Sequence, residues 1–333
     1  MGKVLLNRLQ LVIVLTTALL LLSGTTPADT LTCKVCDRTI TGAHFETGGN
    51  YFHPEHFTCN HCDKPIKGAY TVYRGHNYHG DCFERDVALR CNVCDEVIQG
   101  EYLIDFWGNA SHLRHRGDVM RYDFCNRFIT GSLGNHMVKY QDKRHLCSIC
   151  SRTAITHLAE ARSLMDEVNR HLARYGLNVD PHQIELHLVG LDKLRKLARK
   201  RNGSVTGFTD CEARKSLFGA TQHQSIKVYL LDGMPRTQMA STIAHELTHV
   251  WLFLQGRLRH DKVLAEGSCN FASYLVLQKI GGVEADYIIH NMTRDQDRIY
   301  GGGFRRVKRY VEKYGLAEWI ALLKKRDTMV SKF

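Results

Sequence analysis

Two hydrophobic periods divide the second half of the chain. From Arg152 to Tyr175 the apolar positions Ile155, Leu158, Ala159, Leu164, Met165, Val168, Leu172 and Ala173 recur at helical spacing. Ile184 to Val189 and Ile226 to Leu231 are short runs rich in branched residues and read as strands, with a basic helix, Leu191 to Lys200, after the first. The strand Ile226 to Leu231 reads either as an edge able to pair with an extended peptide or as a central strand. Beyond Pro235, Ile243, Ala244, Val250, Trp251 and Leu252 make a helix apolar enough to be buried, and Leu264 to Leu275 reads as another. The pattern predicts a small mixed sheet followed by a helical remainder.

The first half shows cysteine pairs instead of a hydrophobic period. Ten of the 12 cysteines lie between Cys33 and Cys150, leaving Cys211 and Cys269 for the rest of the 333 residues. The length suits two domains, a metal-binding half joined to a different one. With 44% apolar residues and 5 Pro, the composition excludes a disordered or collagenous chain. At the N-terminus, Lys3 and Arg8, an apolar run from Leu9 to Leu22 and small residues up to Ala28 predict a secretory signal peptide over 1–28. That places the protein outside the cytoplasm, as a secreted or periplasmic chain. An uncleaved membrane anchor is the alternative.

The net charge of +11 raises the question of nucleic acid. Its densest cluster, Lys193, Arg195, Lys196, Arg199, Lys200 and Arg201, lacks interleaved aromatics and reads as a solvated helix face. Acidic Asp37, Glu46, Glu55, Asp63, Asp81 and Glu84 lie among the cysteine pairs, so no nucleic-acid partner is expected.

The pairs have metal-ligand spacing. In Cys33-x2-Cys36-x16-His53-x2-His56 and Cys59-x2-Cys62-x16-His79-x2-Cys82, each x2 turn presents two donors to one ion and the next pair completes a tetrahedron. A second copy begins with Cys91, Cys94, His112 and His115, and ends with Cys125, Cys147 and Cys150. The fourth ligand of its last site would be Tyr122 or Asp123. A disulfide framework would suit an exported chain, but disulfides have no use for histidines at matched positions. Two structural zinc ions are therefore expected in 31–88 and up to two more in a degenerate module, 89–151. Residues His53 to Cys62 resemble a LIM domain, with His56 where such domains usually carry Cys.

The buried helix carries His245-Glu246-Leu247-Thr248-His249, the HExxH pattern. Histidines four apart share one face, and burying them with a glutamate is costly unless they have partners. Glu266, on the next helix, completes a His2Glu set around a catalytic zinc with the fourth position left open. Such an ion acidifies water and polarises a carbonyl, with Glu246 as the base that takes and returns the proton. Tyr300, His290 and Tyr287 are candidates for stabilising the oxyanion, and Asn270 for orienting a ligating histidine.

The whole arrangement, with Ala265-Glu266-Gly267-Ser268-Cys269-Asn270 and the late Tyr300-Gly301-Gly302-Gly303-Phe304, resembles the plant LIM-containing growth-control peptidases, the "DA-one" family, over about Thr32 to Arg326. The resemblance implies a ubiquitin-activated zinc metallopeptidase with His245, His249 and Glu266 as ligands and Glu246 as base. Family members carry ubiquitin-interacting helices before the LIM region, where this chain has its leader-like segment, so ubiquitin enters only as a partner implied by resemblance. The expected fold is α+β: two LIM-like modules, then a mostly helical, gluzincin-like zincin domain over 152–333 with a small mixed sheet. The expected function is zinc-dependent hydrolysis of peptide bonds in protein substrates, with the LIM-like modules binding substrate or a partner. A non-catalytic LIM-type scaffold is the alternative, although it would have no use for Glu246.

Overall fold

A computed structural model describes residues 5–9, 12–14, 31–117, 119–129, 137–199, 205–215, 221–256 and 261–324. The chain folds as an α+β protein in two compact units, Lys3–Met120 and Arg121–Phe333. Of the leader read at 1–28, two pieces are described: β1 (Leu5–Leu9) and β2 (Val12–Val14). The rest of it lies outside the described residues. Among the described residues no helix is long and apolar enough to cross a membrane.

The first unit repeats one local device. The backbone N–H groups of Asp37, Asp63 and Asp95 each donate at 2.8 Å to the carbonyl of the cysteine four residues earlier, Cys33, Cys59 or Cys91. All three aspartates are left-handed, with φ of 54°, 60° and 59°. Asp tolerates this region better than most residues, and the turn aims both cysteines of a pair at one point. Hairpins supply the second pair of donors: β3 (Phe45–Thr47) with β4 (Asn50–Phe52), β5 (Tyr70–Tyr73) with β6 (His76–His79), and β7 (Gly100–Ile104) with β8 (Ala110–His112). β2 extends the second hairpin and β1 the third, both antiparallel. Small cores sit between knuckles and hairpins, one around Phe57, Ile66, Tyr70 and Phe83, another around Ile98, Tyr102 and Ala110.

A fourth copy of the device opens the second unit. Asn126 N–H donates to Tyr122 O at 2.9 Å, and Asn126 is left-handed at φ 56°. Tyr122 thus occupies the place of the first cysteine. The short ribbon of β9 (Val138–Lys139) and β10 (His145–Leu146) follows. Arg144 is buried, pairs with Asp142 at 2.9 Å and donates to Asp232 O at 2.8 Å, while Asp142 also accepts from Leu191 N–H at 3.3 Å. These contacts tie the knuckle into the sheet and helices that follow. The second compact unit accordingly begins at Arg121.

After β11 (Ala154–Ile155) come α1 (Leu158–Ala173), β12 (Ile184–Val189), α2 (Leu191–Leu197), β13 (Gly207–Lys215), β14 (Thr221–Leu231) and β15 (Met234–Pro235). The sheet order is β12-β14-β13, with β12 and β14 parallel and β13 antiparallel. β14 is thus the central strand, which removes it as an edge for peptide pairing, and β13 takes an edge.

The remainder is helical: α3 (Arg236–Leu254), α4 (Lys262–Ile280), α5 (Gly282–Arg294), α6 (Tyr300–Tyr314) and α7 (Leu316–Lys324). Asp261 caps α4 by accepting from Val263 N–H at 2.6 Å. α3 and α4 are buried on nearly all sides in the main core, where Trp319 of α7 donates to Ser268 of α4 at 3.0 Å. α4 and α6 cross backbone to backbone: a Cβ on Gly267 would lie 2.5 Å from the Gly303 carbonyl carbon, and one on Gly303 2.4 Å from Val263 O. A Cβ on Gly301 would lie 2.2 Å from Asp295 O. Two of the three consecutive glycines are therefore required by close approach.

Inside an ordinary helix, Gly→Ala stabilises by about 1 kcal/mol. At Gly267 the obstacle is backbone, which cannot swing aside, so Gly267→Ala is expected to reverse the sign and cost about 1–3 kcal/mol. Denaturant unfolding of the variant checks it.

Candidate metal centres

Helical spacing on α3 and α4 brings three donor atoms together. His245 Nε2 lies 3.1 Å from His249 Nε2, and Glu266 Oε2 lies 3.2 Å from the first and 3.4 Å from the second. A tetrahedral zinc ion with bonds near 2.05 Å separates nitrogen and oxygen ligands by about 3.3 Å. The triangle matches that edge length. Glu266 Oε2 is buried without a hydrogen-bond donor, and two imidazole nitrogens facing it at such distances need a proton or a cation among them. The donor set therefore fits zinc.

Asn270, one turn after Glu266, fixes the geometry. Its Nδ2 donates to Tyr300 O at 3.2 Å, so its Oδ1 accepts from His245 Nδ1–H at 3.0 Å. That assignment leaves His245 Nε2 with its lone pair toward the ion. Burial disfavours charge on both histidines, but Cys269 and Glu266 beside His245, and Glu266 and Glu246 beside His249, hold their pKa values above the ordinary 6.5. Burial alone would raise the Glu266 carboxyl; the two histidines facing it outweigh that and hold the group well below the usual range.

Glu246 is buried under β13. Thr209 Oγ1 donates to its Oε2 at 2.7 Å, and a Cβ on Gly207 would lie 2.5 Å from its Oε1. Neither Gly207 nor Thr209 stood out in the sequence. β13 is largely polar, and its only signal is the alternation of Thr209, Cys211 and Ala213 with Phe208, Asp210 and Glu212. Tyr300, at the start of α6, has its hydroxyl pushed up to about 12 by burial and by the charges of Glu266, Asp297 and Glu246. It lies in the electrostatic reach of the site. The Tyr287 hydroxyl is pushed up by burial and by the charges of Cys125 and Cys150, while burial and Arg294 push the His290 imidazole down.

Four further clusters gather Cys33, Cys36, His53 and His56; Cys59, Cys62, His79 and Cys82; Cys91, Cys94, His112 and His115; and Cys125, Cys147 and Cys150. Sulfur to nitrogen distances are 3.4 Å for Cys33–His56, 3.5 Å for Cys36–His53, 3.4 Å for Cys62–His79 and 3.5 Å for Cys94–His112. Zinc bonds of about 2.3 and 2.05 Å predict an edge of about 3.5 Å. His115 Nε2 is buried without a hydrogen-bond partner. Burial opposes ionisation of Cys33 and Cys59, yet surrounding N–H groups bring them down to about 5 and about 6. All 12 cysteines are free thiols.

The last cluster differs. Cys125 Sγ and Cys147 Sγ lie 3.8 Å apart, far beyond a disulfide bond of about 2.05 Å and close to the edge of a thiolate–zinc tetrahedron. Asp123, one of the two candidates for the fourth ligand, accepts from His145 N–H through its Oδ2 at 2.6 Å. Tyr122 stands in the ligand position of the knuckle, its hydroxyl raised by burial and by Cys147 and Cys125. The buried Arg127 guanidinium donates toward Cys147 Sγ at 3.8 Å and Cys150 Sγ at 4.0 Å.

Residues 33–74 match the LIM domain family model, and residues 199–286 match the DA1-like family model, described as Protein DA1. The chain is similar to the LIM domain-containing protein HDR3 of Oryza sativa subsp. japonica, 25% identical over 301 residues that cover 70% of this chain and 59% of that one. It is also similar to Protein DA1-related 2 of Arabidopsis thaliana, 26% identical over 273 residues covering 63% and 51% respectively. The chain thus spans somewhat over half the length of these relatives. The first unit is of the LIM zinc-binding kind, and the DA1-like match takes in His245, Glu246, His249 and Glu266.

Two outcomes follow. Asn270→Ala is expected to weaken metal binding at His245, His249 and Glu266 by about ten- to hundredfold, read by competition with a chelator. Because the ion must displace protons held above 6.5, affinity at this site rises with pH through and beyond that value. The same competition, run between about pH 6 and pH 8, shows the slope.

Proposed function

We propose that the protein is a zinc-dependent metallopeptidase cleaving peptide bonds in protein substrates, with its LIM-type modules binding substrate or a partner. The observation that carries this reading is the pairing of the His245, His249 and Glu266 triangle with a separate carboxylate, Glu246, held in place by Thr209. Three protein donors leave the fourth position of a tetrahedral ion open, and a scaffold needs no oriented base.

When bound, zinc supplies Lewis acidity toward the scissile carbonyl and toward water. Glu246 accepts the proton of the attacking water and delivers it to the leaving amine. Thr209 and Gly207 confine the Glu246 carboxylate to one orientation. Tyr300, kept protonated at neutral pH, donates to the oxyanion. β13, an edge of the three described strands that crosses Glu246, is the strand beside which an extended peptide would pair. The same proposal assigns zinc to the LIM-type clusters, and export or membrane tethering to the leader at 1–28. Ubiquitin is the partner suggested by resemblance, tested by adding it to the assay below.

The test is metal content together with cleavage of a mixed peptide library by the wild type and by Glu246→Gln. Wild type is expected to cleave and to be silenced by chelation; Glu246→Gln keeps its ion and loses about 10²–10⁴-fold in rate. Metal retained by both proteins with no cleavage by either, with or without ubiquitin, would leave the scaffold reading standing. Gly207→Ala is a milder probe. A Cβ there would meet both the Glu246 side chain and Thr242 Cγ2, so kcat is expected to fall by more than stability does, with the unfolding midpoint measured beside it.

A further inference from the structure

The turn of α4 that presents Glu266 and Asn270 presents a third side chain. Positions 266, 269 and 270 are spaced i, i+3, i+4 and share one helix face. Cys269 is fully buried, and its sulfur and the ligand atoms of His245 and His249 all lie within 4.8 Å of one another. Burial pushes the thiol up, the charge of His245 opposes it, and the Glu266 and Glu246 carboxylates add to the rise.

We propose that Cys269 is a latch ligand, whose thiolate takes the fourth position of the ion held by His245, His249 and Glu266 and so closes the site until substrate or a partner displaces it. The inference rests on the metallopeptidase reading above. A tetrahedral ion needs one more donor beyond those three. Sulfur is a strong zinc ligand, and a thiolate–imidazole edge of about 3.5 Å falls inside the 4.8 Å within which the sulfur and the two imidazole nitrogens gather. On ligation the S–H bond breaks, the proton leaves to solvent and the sulfur–metal bond forms, with no change of oxidation state. Four protein donors make a closed, storage-like centre; three make an open, reactive one.

The test uses the full chain with cobalt(II) exchanged for the ion most easily removed. The spectrum of the wild type minus that of His245→Ala/His249→Ala isolates this centre from the LIM-type clusters. Thiolate-to-cobalt charge transfer in the near ultraviolet is expected in that difference, and its loss in Cys269→Ser and Cys269→Ala. Visible cobalt bands without charge transfer, or with charge transfer that survives in both Cys269 variants, would overturn the latch and leave the peptidase reading intact. A null difference spectrum would overturn both readings. Zinc retention by Cys269→Ser should fall about tenfold while its peptide cleavage at saturating zinc rises several-fold. A merely structural cysteine would lower both, and that result would also overturn the latch.

Discussion

Two imidazoles and one carboxylate oxygen held within 3.1–3.4 Å inside a helix pair form an arrangement that proteins avoid without something to neutralise it. Much of the second unit can be understood as the means of enforcing that encounter. α3 supplies both histidines from one face, α4 brings Glu266 against them, and the glycines at 267 and 303 let α6 press on the back of α4. α6 then offers the Tyr300 carbonyl that turns Asn270 toward His245. The cost of assembling these donors is borne by a core of apolar side chains on every other side of α3 and α4.

The LIM-type unit solves a different problem. Its two small aromatic and aliphatic cores are too slight to hold several hairpins, and units of this size commonly rely on metal or disulfides. The repeated left-handed aspartate turn shows how little sequence is needed to build a ligand pair. The same turn recurs in the second unit at Tyr122, which carries no thiol, because an N–H and a carbonyl close it.

Much of this was legible beforehand for physical reasons. Ile184 to Val189 forms a strand with the expected limits, because a six-residue branched run between turn residues has few other uses. The HExxH helix and its neighbour were readable from buried periodicity, although the structure extends them to Arg236–Leu254 and Lys262–Ile280. The site's second layer was less visible. Asn270 could be suspected from its spacing, but Gly207 and Thr209 act across a strand-to-helix contact that no local pattern announces. No pattern in the sequence singled out Cys269, and only the meeting of α3 with α4 sets it beside the histidines. The role of β14 was undecidable in sequence, because a central strand and an edge strand share the same alternation until β13 is seen alongside.

Arg144 reaches from the ribbon after the fourth knuckle to the Asp232 carbonyl, and Tyr140 fills the space over Gly233. The unit that folds is thus not the unit that a motif map would cut out. Any recombination event that transplanted the helical half from Arg152 onward would leave an uncapped carbonyl and an empty groove. The knuckle at Tyr122 and Cys125 is therefore a structural part of the helical half, although its cysteines read in sequence as the tail of the LIM-like repeat.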